Sequence, residues 1–195
     1  ARDAGFKVVF TGEGADEILA GYPHFRQDIL PREPGGELTD AGRQMLAELL
    51  AKNSVSRGLL LPDESKANSL RNVETQLGFV PTWMRVHASM ASKVLPLMDR
   101  DWLTSFGDRD GSEHFLSEFD LPRQLWGRDP LNQSLYLWSR SSLQNYILNV
   151  LGDRMEMAHS IEGRVPFLDH HLVEFMRDVP IELKINGITE KYLLK

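Results

Sequence analysis

A short apolar run that ends in a glycine turn restricts the fold of this chain more than any other sequence feature. Val8, Val9 and Phe10 form a β-branched and aromatic run that Gly12 closes, a pattern typical of a strand buried on both faces. No other segment predicts a strand as clearly. Because a single strand is not stable by itself, we expect its sheet partners to lie outside this chain or in other segments that pair with it weakly.

Most of the remaining chain has apolar residues at helical spacing, so the predicted fold class is α/β and predominantly helical. A short helix is predicted over residues 16–22, directly after the strand, and the longest one over residues 134–151. Residues 99–114 are polar and irregular and predict no helix. Asp169 is expected to cap the last complete helix, which Pro180 ends. The other predicted helices have apolar stripes at 45–50 (ending at Asn53), at 70–77 (after a cap at Ser65 and before Gly78) and, with a break, at 83–97.

Composition excludes several classes of protein. Of the 195 residues, 42% are hydrophobic, which is ample for a core. The 22 basic and 28 acidic residues give a net charge of −6 without a block of Lys and Arg, which argues against a nucleic-acid partner. The apolar runs are too short to span a membrane, and no secretory signal opens the chain. The absence of cysteine excludes disulfides and thiolate chemistry within these residues.

Three carboxylates crowd the turn that follows the predicted strand. Glu13, Asp16 and Glu17 lie in and just after a Gly-X-Gly turn, where the backbone can approach a ligand closely and a helix N-terminus favours an anion. The carboxylates repel a bare phosphate, a conflict that disappears if Mg²⁺ lies between them and the phosphate. The alternative is a structural turn whose acidic residues only complement the helix dipole, and spacing alone leaves both interpretations open.

A second segment, residues 152–169, mixes charged with apolar residues directly after the longest predicted helix. Such a pattern indicates either recognition of a zwitterionic substrate or a structural network of ion pairs that anchors helices. The charged residues of this segment that could take part are Asp153, Arg154, Glu156, Glu162, Arg164 and Asp169.

Together the two segments resemble the synthetase domain of glutamine-hydrolysing asparagine synthetases. Residues 10–17, FTGEGADE, followed by Gly21-Tyr22, are similar to the strand-end motif of that family, SGEGxDE with GGY behind it. Residues 153–169, DRMEMAHSIEGRVPFLD, are similar to its motif DRMxMAHSxExRxPFLD, and residues 191–195, KYLLK, to a KxLLR-like run. The motifs occur in the order that the family has, near the two ends of the chain.

The resemblance implies a reaction and its cofactors. The family activates the side-chain carboxylate of aspartate with ATP and Mg²⁺, giving β-aspartyl-AMP and pyrophosphate. Ammonia, which a glutaminase domain releases from glutamine, then displaces AMP and forms asparagine. Such chemistry needs cations around the leaving pyrophosphate and a site that excludes water from the acyl-adenylate.

Roles of individual residues follow only from the resemblance. It implies that Thr11 and Gly12 lie against ATP, with the Thr11 hydroxyl replacing that of the usual Ser. Glu13 is the implied catalytic carboxylate, acting in formation or aminolysis of the intermediate, and Asp16 is the implied Mg²⁺ ligand. The β-lactam synthetases related to this family have Tyr at the position of Glu13, which disfavours a lactam product.

In the second motif, the resemblance places Glu162 and Arg164 on the aspartate side of the pocket. It does not identify the acid directly. An amide- or lactam-forming paralogue in specialised metabolism, or a non-catalytic helical interaction module that kept the fold, remain as alternatives.

Two family features are missing from residues 1–195: the pyrophosphate-binding loop, SGGxDS, and the glutaminase domain with its N-terminal Cys. The chain also begins at Ala1 without Met and stops at Lys195, before a later Lys that the family uses for pyrophosphate. We therefore expect a partial domain, the C-terminal half of an adenine nucleotide α-hydrolase-like (PP-loop ATP pyrophosphatase) domain, that is inactive when isolated. The full-length enzyme is expected in the cytoplasm, with a homodimer possible.

Overall fold

The predicted N-terminal strand pairs with a second strand that the sequence pattern did not predict. In a computed structural model of the chain, β1 (Val8–Phe10) lies parallel to β2 (Glu162–Arg164), with Phe10 opposite Arg164. The two strands therefore end at the same edge of the sheet. More than 150 residues separate them in sequence, so this pairing brings the two charged segments of the chain together.

Two units make up the described part of the chain, and each has its own buried residues. The structure describes residues 2–34, 36–53, 70–107 and 109–195. The first unit consists of Ala1–Arg26 and Leu131–Lys195, and the second of Gln27–Pro130. The helix cap predicted at Ser65 lies outside the described residues.

β1 is not buried on both faces, so that prediction is wrong. Phe10 is 73% exposed and Val8 is 39% exposed. The reason is that the sheet has two strands in the described part of the chain, and a strand needs neighbours and a covering layer on each face to be enclosed. The apolar composition of β1 makes its burial favourable, but the extent of that burial depends on which elements pack against the strand.

Helices form most of the first unit. Phe25, Leu131 and Leu137 are fully buried there, together with Met176 and Ile185 from the last part of the chain. The α-helices that lie wholly or largely in this unit are Ala15–Ile18, Pro23–Asp28, Pro130–Trp138, Arg154–Ala158, His170–Asp178 and Ile181–Lys184, with a π-helix at Ser139–Asp153 and single 3₁₀ turns at Arg2–Ala4, Pro166–Leu168 and Tyr192–Leu194.

Helices also form most of the described part of the second unit, together with an isolated antiparallel bridge between Arg32 and Leu38. Four apolar residues are buried almost completely: Leu49, Val73, Leu116 and Leu125. The Thr82 backbone N–H, at the start of its helix, donates to Asp28 Oδ1 at 2.7 Å. The helices are Asp40–Lys52, Arg71–Leu77, Thr82–Val94, Arg100–Phe106, Gly111–Ser117 and Leu121–Gln124, with a 3₁₀ turn at Leu95–Leu97.

The prediction that residues 99–114 contain no helix is wrong. Arg100–Phe106 begins where Asp99 Oδ1 accepts a hydrogen bond from the Trp102 N–H at 2.9 Å. Gly111–Ser117 begins where Asp110 Oδ1 accepts one from the Ser112 N–H at 2.8 Å. Both helices are short and largely exposed, so side-chain caps rather than an apolar stripe define where they start.

Helix ends that were predicted from capping residues are confirmed. Asp169 Oδ1 accepts hydrogen bonds from the backbone N–H groups of His171 and Leu172 at the start of His170–Asp178. Gly78 closes Arg71–Leu77 in the left-handed conformation, with φ of 78°. Asn53 ends Asp40–Lys52, where its side chain donates to the Leu49 carbonyl. These ends depend on local backbone chemistry and are therefore visible in sequence.

The longest predicted helix, over residues 134–151, is helical but is longer and partly of another type. It begins as Pro130–Trp138, continues as the π-helix Ser139–Asp153 and ends as Arg154–Ala158. A π-helix has wider turns, with i to i+5 hydrogen bonds, which the spacing of apolar residues does not reveal. Among the described residues, no helix has the length and apolar character needed to cross a membrane.

The glycine at position 42 is required by packing within the second unit. A Cβ atom on Gly42 would lie 2.3 Å from the carbonyl oxygen of Pro31, whereas one on Gly111 would have no atom within 4 Å. We expect Gly42→Ala to lower the free energy of unfolding by about 1–3 kcal/mol, because backbone must move. Gly111→Ala is the matched control and should stabilise by up to about 1 kcal/mol. Denaturant unfolding followed by circular dichroism measures both, and equal stabilisation by the two variants would contradict the clash.

Candidate active site

The turn after β1 joins the end of β2 and has no room for side chains at its second glycine. The Thr11 N–H donates to the Arg164 carbonyl at 2.9 Å and extends the pairing of the strands by one residue. Gly14 has φ of +87°, and a Cβ atom there would lie 2.3 Å from Leu168 Cδ2. Position 14 requires glycine for two reasons: its left-handed backbone conformation and the close contact with Leu168 of the second motif.

Glu13 lies at the same junction. Its Oε2 accepts a hydrogen bond from Thr11 Oγ1 at 3.3 Å. The same Oε2 atom would be 3.5 Å from a Cβ atom on Gly152, which is buried at the end of the π-helix. The carboxylate is half-buried and faces the segment that begins the second motif. Strand pairing, the Gly14 contact and the Glu13 contact therefore assemble the two motifs into one site.

Asp16 is held by a cation that comes from the last residues of the chain. Its Oδ1 lies 2.8 Å from Lys191 Nζ, and each side chain is about 30% exposed. Gly21, which donates its N–H to the Asp16 carbonyl at 2.9 Å, leaves the space that this ion pair occupies. The KxLLR-like run thus contributes a side chain to the turn, a contact that the sequence motif itself does not reveal.

Glu17 lies buried beneath the turn. It is 3% exposed, and its Oε1 accepts a hydrogen bond from Trp138 Nε1 at 3.1 Å. Burial is the main cause that raises the pKa of Glu17 above its ordinary value, against hydrogen bonds from Trp138, its own backbone N–H and the Tyr22 hydroxyl. The Tyr22 ring lies 5.5 Å from that of Trp138, so the carboxyl group is enclosed by aromatic side chains.

All three carboxylates of the first motif act electrostatically on the Tyr22 hydroxyl. Burial raises the pKa of the Tyr22 hydroxyl, and the charges of Glu17, Asp16 and Glu13 raise it further. All three acidic residues of the first motif therefore lie close to the same hydroxyl. Two of them, Glu13 and Asp16, remain partly open to solvent, so they are the members of the group that a ligand can reach.

The two candidates from the second motif lie at different ends of β2. Arg164 is opposite Phe10, next to the turn, whereas Glu162 is opposite Val8 at the other end. The side chains nevertheless meet, with Arg164 Nε 2.8 Å from Glu162 Oε1, and both are more than half exposed. The structure therefore brings Arg164 to the turn with Thr11, Gly12, Glu13 and Asp16, and attaches Glu162 to that group through the ion pair.

Glu162 also lines a cavity of about 400 Å³ beside β2. Glu156 lies over the middle of the strand, where its Oε2 accepts a hydrogen bond from the Gly163 N–H at 2.9 Å. A side chain at position 163 would occupy the place of this carboxylate. The residues that line the cavity are Lys7, Asp153, Glu156, Met157, Ser160, Ile161, Glu162 and Gly163.

The turn offers the donors that a magnesium-nucleotide complex uses. Gly12 is exposed and has no other atom within 4 Å of where its Cβ would be, so a ligand can approach the backbone. Glu13 and Asp16 supply carboxylate oxygens, and Mg²⁺ typically takes one or two of these together with phosphate oxygens. In the described ranges, no group of three or more His, Asp and Glu side chains is placed to hold a metal ion. The residues at the turn therefore fit the magnesium-nucleotide complex that the resemblance implies, with phosphate oxygens completing the metal's ligands.

The helix that follows the turn is shorter than predicted. It covers Ala15–Ile18, not residues 16–22, and Gly14 before it provides no side-chain cap. Four residues produce a much smaller dipole than a full-length helix. The expected attraction of an anion to a helix N-terminus therefore contributes little, and the open backbone at Gly12 and the carboxylates are the features that define the site.

The buried Glu17 predicts a pH dependence of stability. Its folded pKa is raised above the ordinary value of 4.5, so the carboxyl group contributes stability at lower pH, and this contribution is lost as the pH rises through the raised pKa. Gln cannot ionise but keeps an acceptor for Trp138. As the pH rises from about 4 through the raised pKa of Glu17, wild type should therefore lose stability relative to Glu17→Gln, by about 1.4 kcal/mol for each pH unit in which only the unfolded chain is ionised.

Thermal unfolding of both proteins over this range measures the effect. The exposed substitution Glu113→Gln is the control and should run parallel to wild type. Parallel curves for Glu17→Gln and wild type would contradict the assignment.

Comparison with known proteins shows what this chain is similar to. A family model described as asparagine synthase matches residues 1–195. Asparagine synthetase [glutamine-hydrolyzing] 3 of Bacillus subtilis is 49% identical over 200 residues, which cover 97% of this chain and 23% of that protein. Asparagine synthetase [glutamine-hydrolyzing] 1 of the same species is 26% identical over 191 residues, covering 96% of this chain and 27% of that protein.

A fungal protein with another name is also similar. Amidase chyE of Penicillium rubens is 32% identical over 210 residues, covering 98% of this chain and 29% of that protein. The chain thus spans less than a third of the length of these curated relatives. No solved structure matches it significantly. Since the family model covers every residue and the motifs of both segments meet at one turn, the chain belongs to the asparagine synthase family.

Proposed function

We propose that this chain forms part of the ATP-dependent site of an asparagine synthetase, which converts aspartate to asparagine through β-aspartyl-AMP with ammonia derived from glutamine. The observation that supports the proposal most directly is the assembly of the two motifs around Glu13. Thr11 bonds to Arg164, Glu13 faces Gly152, and the glycine at 14 admits Leu168. Segments that are widely separated in sequence meet at this turn, as the proposed chemistry requires of them.

The proposed reaction has two displacements. An aspartate side-chain oxygen attacks the α-phosphorus of ATP and expels pyrophosphate, and ammonia then attacks the acyl carbon and expels AMP. Thr11 and Gly12 would bind the nucleotide, and Asp16 would hold Mg²⁺, which neutralises phosphate charge when bound. Glu13, with one oxygen bonded to Thr11 Oγ1, would accept the proton that the attacking ammonia loses.

The ion pair of the second motif suits a zwitterionic amino acid. Arg164 and Glu162 present a guanidinium and a carboxylate that contact each other and are open to solvent. In the proposed complex, Arg164 binds the α-carboxylate of aspartate, for which its planar donors are well matched, and Glu162 binds the α-ammonium group. Binding of the ligand would replace the Arg164–Glu162 ion pair by two ion pairs between protein and ligand. Each charged group that loses water would therefore gain a partner of opposite charge.

Amide formation on another acid is the second candidate, and the relatives named amidase favour it. Amidase chyE of Penicillium rubens and Amidase chry2 of Gibberella zeae are each 32% identical to this chain. A lactam-forming paralogue is disfavoured by Glu13, and a non-catalytic module by the presence of Glu13, Asp16 and Arg164 in one assembly. The proposed setting is the cytoplasm, with the full-length enzyme a possible homodimer.

The choice of acid can be tested directly in the full-length protein. With MgATP and ammonia present, we expect pyrophosphate release to depend on aspartate and to be accompanied by an equal amount of asparagine. Other amino acids and carboxylic acids serve as the matched comparison. Pyrophosphate release that depends on a different acid would support the second candidate. If none of the acids tested leads to pyrophosphate release, both proposals are contradicted.

Glu13 can be tested by removing its charge without changing its shape. Glu13→Gln in the full-length protein should lower kcat for asparagine formation by about 10²–10⁴-fold, the range for loss of a general base. The unfolding temperature should stay unchanged, because the side chain is half-buried and its carboxylate accepts a hydrogen bond from the Thr11 hydroxyl that the Gln amide oxygen can also accept. Glu174→Gln, on an exposed face of His170–Asp178, is the control. Unchanged kcat in Glu13→Gln would remove this residue from the mechanism.

A further inference from the structure

A half-buried ion pair fixes the backbone just before Lys191. Arg26, which is 7% exposed, donates from Nη1 to the Ile188 carbonyl at 3.1 Å and to Glu190 Oε2 at 2.7 Å. An antiparallel bridge between Asn186 and Thr189 closes the turn that contains Ile188. A guanidinium held between a carbonyl and a carboxylate has little freedom to move. The residue that follows Glu190 therefore starts from a defined position.

Lys191 then adopts a conformation that is uncommon for a residue with a side chain. Its φ and ψ are 49° and 38°, in the left-handed region. Such backbone conformations persist where the surrounding contacts hold them. Here the contact is made by Nζ, which lies 2.8 Å from Asp16 Oδ1 with both side chains about 30% exposed. The ammonium group thus contacts the carboxylate that the proposed function assigns to Mg²⁺.

Gly21 is the third feature that fits this ion pair. A Cβ atom at position 21 would lie 1.9 Å from Asp16 Oδ1 and 2.3 Å from Lys191 Cε. The absence of a side chain is therefore what allows the ammonium and the carboxylate to meet. Gly21 belongs to the GY pair of the first motif, so this motif and the KxLLR-like run share one contact in the folded chain.

We propose that Lys191 is a positioning residue that acts as the counter-ion of Asp16 in the nucleotide-free protein, so that a free divalent cation binds weakly and enters together with the nucleotide. The inference rests on the metal-ligand role of Asp16 in the proposed function. A free dication must compete with an ammonium already in contact with Asp16. Arg26 also lies within electrostatic range of that carboxylate. The phosphates of a nucleotide add the negative charge that offsets both cations.

Binding of Mn²⁺, a spectroscopic substitute for Mg²⁺, tests the inference without relying on turnover. Electron paramagnetic resonance of the full-length protein in the absence of nucleotide counts free Mn²⁺. Lys191→Met removes the charge and keeps an unbranched side chain, and it should bind Mn²⁺ about tenfold more tightly. Lys191→Arg keeps the charge and should restore weak binding. Lys195→Met is the matched control, because Lys195 pairs with Glu190 on the surface and should leave Mn²⁺ affinity unchanged.

A second variant moves the ion pair while keeping both of its charges. Gly21→Ala places a methyl group where Asp16 Oδ1 now lies, and both partners are flexible side-chain ends that can shift at little cost in stability. It should also tighten Mn²⁺ binding, by less than Lys191→Met does. Gly111→Ala, where a methyl group meets no atom within 4 Å, is its control and should leave Mn²⁺ affinity unchanged.

The outcomes separate this inference from the proposed function. If Asp16→Asn weakens Mn²⁺ binding in the presence of ATP but Lys191→Met leaves nucleotide-free affinity as in wild type, only the role of Lys191 is overturned. If Asp16→Asn has no effect on Mn²⁺ binding with ATP, the ligand role of Asp16 fails, and the inference fails with it. Tighter binding in Lys191→Met that disappears when Asp16→Asn is added supports the inference.

Discussion

The parallel pairing of β1 with β2 is the interaction on which the candidate site depends. It is short, with three residues on each side and one more hydrogen bond from the Thr11 N–H to the Arg164 carbonyl. Parallel strands end at a common edge, so whatever follows β1 is placed beside whatever ends β2. The pairing thus places the glycine turn against the segment that carries Arg164.

The acidic residues of the turn differ in what surrounds them, and this decides what each can do. Glu17 is enclosed by Trp138 and Tyr22, and burial raises its pKa, so its contribution is to hold the turn in place. Glu13 and Asp16 face partly outward, with a hydroxyl and an ammonium as partners. A buried, hydrogen-bonded carboxyl group beneath two partly exposed carboxylates keeps the reactive groups in a fixed geometry while leaving them accessible. The aromatic cluster is therefore part of the site in a positional sense.

Local chemistry made part of this structure predictable. The strand, the glycine turn and the caps at Asn53, Gly78 and Asp169 are visible because each depends on residues close in sequence. The two capped helices within residues 99–117 were missed because each has 7 residues, too few to show helical periodicity clearly. β2 was missed because Glu162, Gly163 and Arg164 have little strand propensity of their own. They form a strand because β1 provides a pairing partner.

The site divides in the same way. By itself, the sequence determined which side chains of the two motifs carry charge and which hydroxyl and glycines accompany them, and its resemblance to a family gave them a chemistry. Only the tertiary structure decided that Glu13 faces Gly152, that Glu17 is buried and Asp16 is not, and that Lys191 reaches Asp16 across the space left by Gly21. The physical reason is that charge and propensity belong to single residues, whereas burial, ion pairing and contact depend on segments separated by 120 residues or more.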